Sequence, residues 1–423
     1  MVETNVVGKS VSKIDAKEKV LGTALYAADM KMAGMLYAKA LRSKVAHGIL
    51  RKINTAKAKT APGVHAVLTG EDIPGPNTTG MILKDEPVIV GINGKIRSIG
   101  DTLAVVAAET AEIAEAALDL IEVEIEELPG IFCPFEAMNE DAPQLYAKGN
   151  ILSVRKIVKG DIEKAFAECT AIVECQYKTS IQEHAYIEPE AGIARVEGDS
   201  IVIWCSTQNP HMDRYEVAQN LKLRLNQVRV IQATTGGGFG GKLDISVQIH
   251  LALLAQATKK PVKMVYSRQE SMLCTGKRHP ITMTFKTGCN SEGKLLAMES
   301  KIVADTGAYA SYGPGVSTRA AVHATGPYEI PNVRIESFTV YTNNLRCGAF
   351  RGFGVPQVAL AHESQLDCLA AKIGISPFDI RMKNALRPNL CTATGDMLTQ
   401  SVGIAQTMEA ARQKLTEESG KII

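Results

Sequence analysis

The segment that most constrains this chain runs from 228 to 258. Val228 to Ala233 carries β-branched Val228, Val230 and Ile231 and reads as a strand. Thr234-Thr235-Gly236-Gly237-Gly238-Phe239-Gly240-Gly241-Lys242 follows, and Leu243 to Thr258 then carries apolar residues at helical spacing. Five glycines in the six positions 236–241 free the backbone to approach an anion or an oxo ligand closely. A helix starting directly behind them would add its positive end. Phe239 is unusual inside such a loop, and an aromatic there can wall a pocket.

Spacing alone leaves two nucleotide readings open. Gly236, Gly238 and Gly241 satisfy the dinucleotide pattern G-x-G-x-x-G between a strand and a helix. The following strand, however, ends in Ser267-Arg268 rather than in an acid, and the loop stands far from the start of the chain. Gly236 with Gly241-Lys242 nearly satisfies the phosphate loop, but Leu243 replaces the Ser or Thr whose hydroxyl would hold magnesium.

Around this segment the chain divides into three. Residues 1–130 alternate strands (Leu36 to Leu41, Val64 to Leu68, Thr102 to Ala108, Ile121 to Ile125) with a helix over Glu109 to Leu120, and predict a compact α+β unit. Residues 131–150 hold Pro134 and Pro143 with little periodicity and predict a linker over a surface. Residues 151–423 form a second region. Asp161 caps a short helix there, a hairpin turns at Glu197-Gly198-Asp199-Ser200, and Met212 to Leu225 is helical. A long helix over Val355 to Ile373 stops at Gly374, Ser376-Pro377 opens the next, and a last helix spans Ile404 to Glu418.

Composition excludes several classes. Lys plus Arg is 47 against 45 Asp plus Glu, which is no footprint for nucleic acid or an anionic membrane. No apolar run is long enough to span a bilayer and the start MVETNVVGKS lacks a leader's apolar core, so a cytoplasmic location is expected. Nine scattered cysteines contain no CxxC, and no two of the eight histidines lie within four residues. Neither a zinc nor an iron–sulfur site made by this chain alone is expected.

Four segments in order carry a resemblance: Gln182-Glu-His-Ala-Tyr-Ile-Glu188, Ser206-Thr-Gln-Asn209, Gly236 to Lys242, and Ala349-Phe-Arg-Gly-Phe-Gly-Val-Pro-Gln357. Together they resemble the molybdenum-binding subunit of the xanthine dehydrogenase and aldehyde oxidase family. Gly276-Lys-Arg-His-Pro280 and Arg381-Met-Lys-Asn384 fit it too, and residues 1–130 are similar to its small hammerhead domain. The implied fold is α+β: an N-terminal α/β-hammerhead domain (1–130), a linker (131–150), and the first half of a molybdopterin-binding domain (151–423).

The resemblance assigns roles position by position. Gln182 matches a glutamine near the oxo ligand of the molybdenum, and Gln208 a cofactor contact. Gly238, Phe239 and Gly240 match a loop whose backbone approaches metal and pterin, and Arg351 an arginine whose backbone amide lies beside the cofactor. None of these is a side-chain ligand of the metal. Phe350 and Phe353 match aromatics that sandwich a planar substrate, Arg319 a substrate-orienting arginine, and Leu243 the position where purine-oxidising relatives place a glutamate. The family's base glutamate lies in a Gly-Glu context, and the Gly-Glu pair here is Gly70-Glu71 in the first region. The resemblance therefore implies a split enzyme whose base sits on a partner.

The organisation resembles the clostridial-type nicotinate dehydrogenases within that family. The implied cofactor is molybdopterin cytosine dinucleotide with a terminal sulfido or selenido ligand. A medium molybdopterin subunit, a 2Fe-2S subunit and an FAD subunit are the implied partners. The implied reaction is nicotinate to 6-hydroxynicotinate with NADP as acceptor. A purine or aldehyde hydroxylase, a nicotinamide-dependent dehydrogenase built on the glycine loop, and a scaffold subunit remain open at this point.

Overall fold

The computed structural model describes residues 4–419; the first three residues of the stretch inspected for a leader, and 420–423, lie outside the described residues. Two sheets organise it. The larger has seven strands in the order Val228–Gln232, Ser200–Cys205, Ala191–Glu197, Val262–Val265, Leu36–Arg42, Thr102–Ala108, Val64–Leu68. The smaller has five: Ala171–Lys178, Ile281–Cys289, Leu295–Gly307, Asn332–Tyr341, Ile151–Lys159.

The first region is not a unit apart. Three of its strands extend the sheet of the second region, because Leu36–Arg42 pairs in parallel with Val262–Val265 (Leu36 opposite Val262, Ala38 opposite Met264). All seven residues of Thr102–Ala108 are buried, as expected of a strand covered on both faces. Gly48–Asn54, Lys95–Ile96 and Glu122–Glu127 form a separate small sheet, and Thr78–Thr79 with Glu86–Pro87 a two-stranded one. The 131–150 segment also departs from the expected surface linker. Pro134–Ala137 forms one helical turn, and Ile131, Ala137 and Leu145 are buried against Val303, Val340 and Tyr341. The Ile131 N–H donates to Asn343 Oδ1 at 2.9 Å.

The helices follow from capping and apolar spacing. Asp161 accepts from Lys164 N–H, and Ser376 Oγ from Asp379 N–H at 3.0 Å with Pro377 in the first turn. Val355–Ile373 ends at Gly374 in the left-handed region, as expected. One expected boundary moves. The helix behind the glycine loop is Gln248–Thr258, not Leu243 to Thr258; its residues 248–255 are all buried, with Ile249 and Leu251 to Ala255 in the core under the seven-stranded sheet. Likewise Met212 to Leu225 is observed as Pro210–Asn220.

The two regions are joined by buried charge. Arg42 donates to Glu270 Oε1 at 2.9 Å, Tyr309 OH to Asp101 Oδ2 at 2.6 Å, and Arg346 to Glu86. Burial pushes the Glu86 carboxyl up to about 7, against the Arg346 guanidinium, with Asp244 and Asp101 adding to the rise. A carboxyl raised in the folded state stabilises the fold most below its unfolded range and loses that contribution as pH climbs through 7. Wild-type stability should therefore fall between pH 5 and pH 8 by roughly 2–3 kcal/mol more than that of Glu86→Gln. Thermal melts of both proteins at the two pH values check this, and parallel melting profiles would refute it.

Candidate functional site

The site forms where adjacent parallel strands end. Ser200–Cys205 and Val228–Gln232 run side by side with Cys205 opposite Gln232, so Ser206 to Asn209 and the glycine loop leave the sheet together. This is the carboxyl-end crevice in which open sheets commonly bind ligands.

The loop is held from beneath. Gln208 Oε1 accepts the Gly240 N–H at 2.9 Å and the Lys242 N–H at 3.3 Å, while the Gln208 N–H donates to Lys242 O at 2.9 Å. A Cβ at Gly238 would stand 2.5 Å from that same Oε1, so the clamp requires glycine there. Lys242 turns away from the crevice. Its buried ammonium donates to Ser206 Oγ at 2.6 Å, Glu188 O at 2.7 Å and Glu188 Oε2 at 3.0 Å, and it lies 4.6 Å from the Tyr186 ring centroid. Burial lowers the Lys242 pKa, and the Glu188 carboxylate opposes that shift. Glu188 Oε2 also accepts the Gly236 N–H at 2.7 Å.

This geometry removes both nucleotide readings. The lysine that would meet a phosphate is an internal strut, and five of the loop's amides are already bonded within the chain: Gly236, Gly240, Gly241, Lys242 and Leu243. The following helix starts at Gln248, so its N-terminus does not open directly behind the loop as both motifs require.

A second loop closes on the first. The Arg351 N–H donates to Phe239 O at 2.9 Å. A Cβ at Gly240, where φ is +104°, would fall 2.6 Å from Ala349 O, so the two backbones meet only because residue 240 is glycine. His184 Nε2 lies 2.8 Å from Ala349 O; burial lowers its pKa, and the neutral ring donates there. The His184 imidazole stacks on Phe350 at 4.1 Å and 18°, and the Arg278 guanidinium covers Phe350 at 3.8 Å while donating to Arg351 O at 3.2 Å.

Two expectations are corrected here. Phe350 cannot be half of a substrate sandwich, because His184 and Arg278 occupy its ring. The Arg351 amide is not free for a cofactor, because Phe239 O takes it. Phe353 is half-buried, with φ +53° and its ring edge-on to Tyr312 at 5.7 Å. Leu243 is half-buried beside the loop. Arg319 is exposed on the helix Gly313–Val322 and has no ion-pair partner among the described residues. Gln182 is exposed, its carbonyl accepting the Arg278 N–H at 2.9 Å. Glu71, of the Gly-Glu pair, accepts the Ile92 N–H at 3.0 Å within the first region.

Sequence reasoning missed the roles of His184, Arg278 and Glu188. All three sat inside quoted motifs, but only contact geometry separates them from their neighbours. What remains open at the crevice is a set of N–H donors. Among the described residues, the amides of Gly237, Gly238, Phe239, Phe350 and Gly352, and the side-chain amides of Gln182 and Gln208 Nε2, have no hydrogen-bond partner. No group of three His, Cys, Asp or Glu among the described residues could hold a bare metal ion. Such a donor set suits an organic cofactor rich in acceptors.

Comparison with known proteins agrees. The family description "Molybdopterin cofactor-binding domain" matches residues 144–385, and "Aldehyde oxidase and xanthine dehydrogenase, a/b hammerhead domain" matches 21–129. The chain is therefore a molybdopterin-binding protein. It belongs to the aldehyde oxidase and xanthine dehydrogenase family of molybdenum-dependent oxidoreductases. It is 50% identical to the nicotinate dehydrogenase large molybdopterin subunit of Eubacterium barkeri, over 98% of this chain and 97% of that one. It is 41% identical to a probable xanthine dehydrogenase subunit of Bacillus subtilis, over 94% of this chain but 53% of that protein. The solved aldehyde oxidoreductase of Desulfovibrio gigas superposes with a TM-score of 0.91 at 32% identity, over 96% of this chain and 46% of that one. Quinoline 2-oxidoreductase from Pseudomonas putida 86 superposes at 0.88 and 28% identity, over 97% of this chain and 54% of that one. The chain thus spans about half the length of these last three proteins.

The strut and the close approach give two predictions. Lys242→Met leaves the Glu188 carboxylate buried without its cation and should destabilise the fold by about 3–5 kcal/mol, with Glu188→Gln in the same chain restoring part of it; denaturant unfolding of the three proteins measures both. Gly240→Ala should cost about 2–4 kcal/mol, because it combines a left-handed backbone with a clash that separates the two loops. An alanine variant as stable as wild type would contradict the close approach.

Proposed function

We propose that this chain is the large molybdopterin subunit of a split, cytoplasmic molybdenum hydroxylase that converts nicotinate to 6-hydroxynicotinate with NADP as final acceptor. The observation that carries the reading is the near-full-length match to the Eubacterium barkeri subunit at 50% identity. A medium molybdopterin subunit with the base glutamate, a 2Fe-2S subunit and an FAD subunit complete the enzyme in this reading.

The cofactor in this proposal is molybdopterin cytosine dinucleotide with a terminal sulfido or selenido ligand, and when bound it supplies the water-derived oxygen and accepts two electrons. The chain's own task is to bind, orient and exclude water. The amides of Gly237, Gly238 and Phe239, with Gln208 Nε2, hold acceptor atoms of the cofactor. Gln182 donates to an oxygen near the metal. Phe353 offers a ring face to a flat heteroaromatic, and Arg319 pairs with its carboxylate. Leu243 favours the same substrate. A carboxylate at that position would repel an anion, whereas leucine presents an uncharged, water-excluding wall. A purine hydroxylase, the second reading, would want an acceptor there, which leucine cannot provide.

The test starts with native protein and whatever co-purifies. About one molybdenum per chain with iron, flavin and additional polypeptides, together with turnover of nicotinate but not xanthine, is the expected result. Absence of molybdenum from a competent host, or turnover of purines alone, overturns the reading. In the assembled enzyme Arg319→Met should raise the KM for nicotinate by roughly 30- to 100-fold with little change in kcat, as loss of a charge-assisted pair predicts.

A further inference from the structure

Gly315 stands in the first turn of the helix Gly313–Val322, with Tyr312 at its N-cap. Its backbone does not require glycine, since it is absent from the positive-φ positions. In a helix, glycine is less favourable than alanine. The structure nonetheless places something where a side chain would go. A Cβ at 315 would come within 3.1 Å of Phe353 Cε1 and 3.6 Å of Cζ. Gly313 is a different case, because a Cβ there would strike Thr306 Oγ1 at 2.3 Å in the core.

The Phe353 backbone has little freedom to yield, so any adjustment falls on its ring. Its φ is +53°, its N–H donates to Phe350 O at 2.8 Å, and its ring stands at 72° to Tyr312. The next residue, Gly354, is pressed against the same helix, where a Cβ would meet Val316 O at 2.4 Å. Helical side chains lean toward the N-terminus, so Arg319, one turn beyond Gly315, carries its stem back over the turn that bears it. The bare patch at Gly315 thus lies between the base of an exposed guanidinium and the tip of an aromatic ring.

We propose that Gly315 is a specificity-determining residue of the substrate pocket. Its missing side chain lets Phe353 stand at a spacing from Arg319 that admits one planar ring bearing a carboxylate. A larger residue at 315 tilts the ring and fills that gap. This inference rests on the substrate reading above, and its test separates the two.

The test uses the assembled complex with Gly315→Ala and Gly315→Leu, both better helix formers than glycine. Thermal midpoints should not fall. The KM for nicotinate should rise about threefold in the first and about thirtyfold or more in the second, with kcat within about threefold of wild type. Calorimetric binding of benzoate, a one-ring aromatic carboxylate that reports affinity without turnover, should weaken in the same order. Unchanged KM and benzoate affinity in both variants overturn the proposal. So does a loss of affinity that tracks a falling midpoint, because the glycine would then serve the helix and not the pocket. If wild type fails to hydroxylate nicotinate while benzoate binding still weakens from Gly to Ala to Leu, the substrate reading falls and the role of Gly315 stands. If wild type neither turns over nicotinate nor binds benzoate, both fall.

Discussion

The crevice depends on how a run of glycines is kept in place. Such a run has no side chains to anchor it, and glycine surrenders more conformational freedom on ordering than any other residue. Here the anchors come from the strand end next door. One amide oxygen, Gln208 Oε1, gathers the N–H groups of Gly240 and Lys242. One carboxylate oxygen, Glu188 Oε2, gathers the Gly236 N–H, the Ser206 hydroxyl and the Lys242 ammonium. Each acceptor is itself constrained: Glu188 by the buried ammonium, Gln208 by its own backbone bond to Lys242 O. A buried charge pair of this kind contributes little net stability, because desolvation offsets its attraction. Its effect is specificity of conformation: any other path for the loop would leave a carboxylate and an ammonium buried and unpaired.

That constraint explains why the glycine loop itself presents no exposed cation, its Lys242 being buried. The lysine is spent inside, and the outward donors are uncharged amides. Neutral donors fixed by a rigid backbone do not have to reorganise as charge develops on a bound group, and no lysine or arginine rotamer entropy is lost on binding. The arrangement suits a large cofactor recognised at many acceptor atoms rather than a single phosphate held by one point charge.

Much of the fold was legible in the sequence because its signals are local. Strand runs such as Thr102 to Ala108, the Asp161 and Ser376 caps and the Gly374 stop depend on neighbours a few residues away. What local pattern could not carry was pairing. Nothing in Leu36 to Arg42 announces that its parallel partner lies more than two hundred residues on, so a region that reads as its own unit turns out to share a sheet with the second. The helix behind the loop was overextended for a related reason. Leu243, Ile245 and Val247 are apolar, yet Lys242 and Asp244 are taken by tertiary partners (Glu188 and Ser311) and the Ser246 N–H by the side chain of Gln248, and these hold the segment out of a helix. At the crevice, the quoted motifs name segments that the fold brings together, but not the division of labour within them. Phe350 and Phe353 are chemically identical and three residues apart, and only the stack of His184 and Arg278 on one of them tells them apart.

The division between those two phenylalanines has a backbone origin. Ala185, Phe239, Ser311 and Phe353 all hold positive φ without being glycine, a conformation that costs a side-chain-bearing residue of order 1 kcal/mol or more. Three of the four lie on loops that meet at the crevice, and Ser311 immediately precedes Tyr312, the partner of the Phe353 ring. Such strain persists only where the surroundings over-determine the chain, and here they do. The Phe239 carbonyl is fixed by Arg351 N–H, the Phe353 amide by Phe350 O, and Phe350 in turn by rings and charge on either side. Phe350 is therefore the anchor and Phe353 the residue it displays. A left-handed turn directs the second aromatic away from the path the first follows into the protein, which is how two phenylalanines in one short loop come to do opposite things.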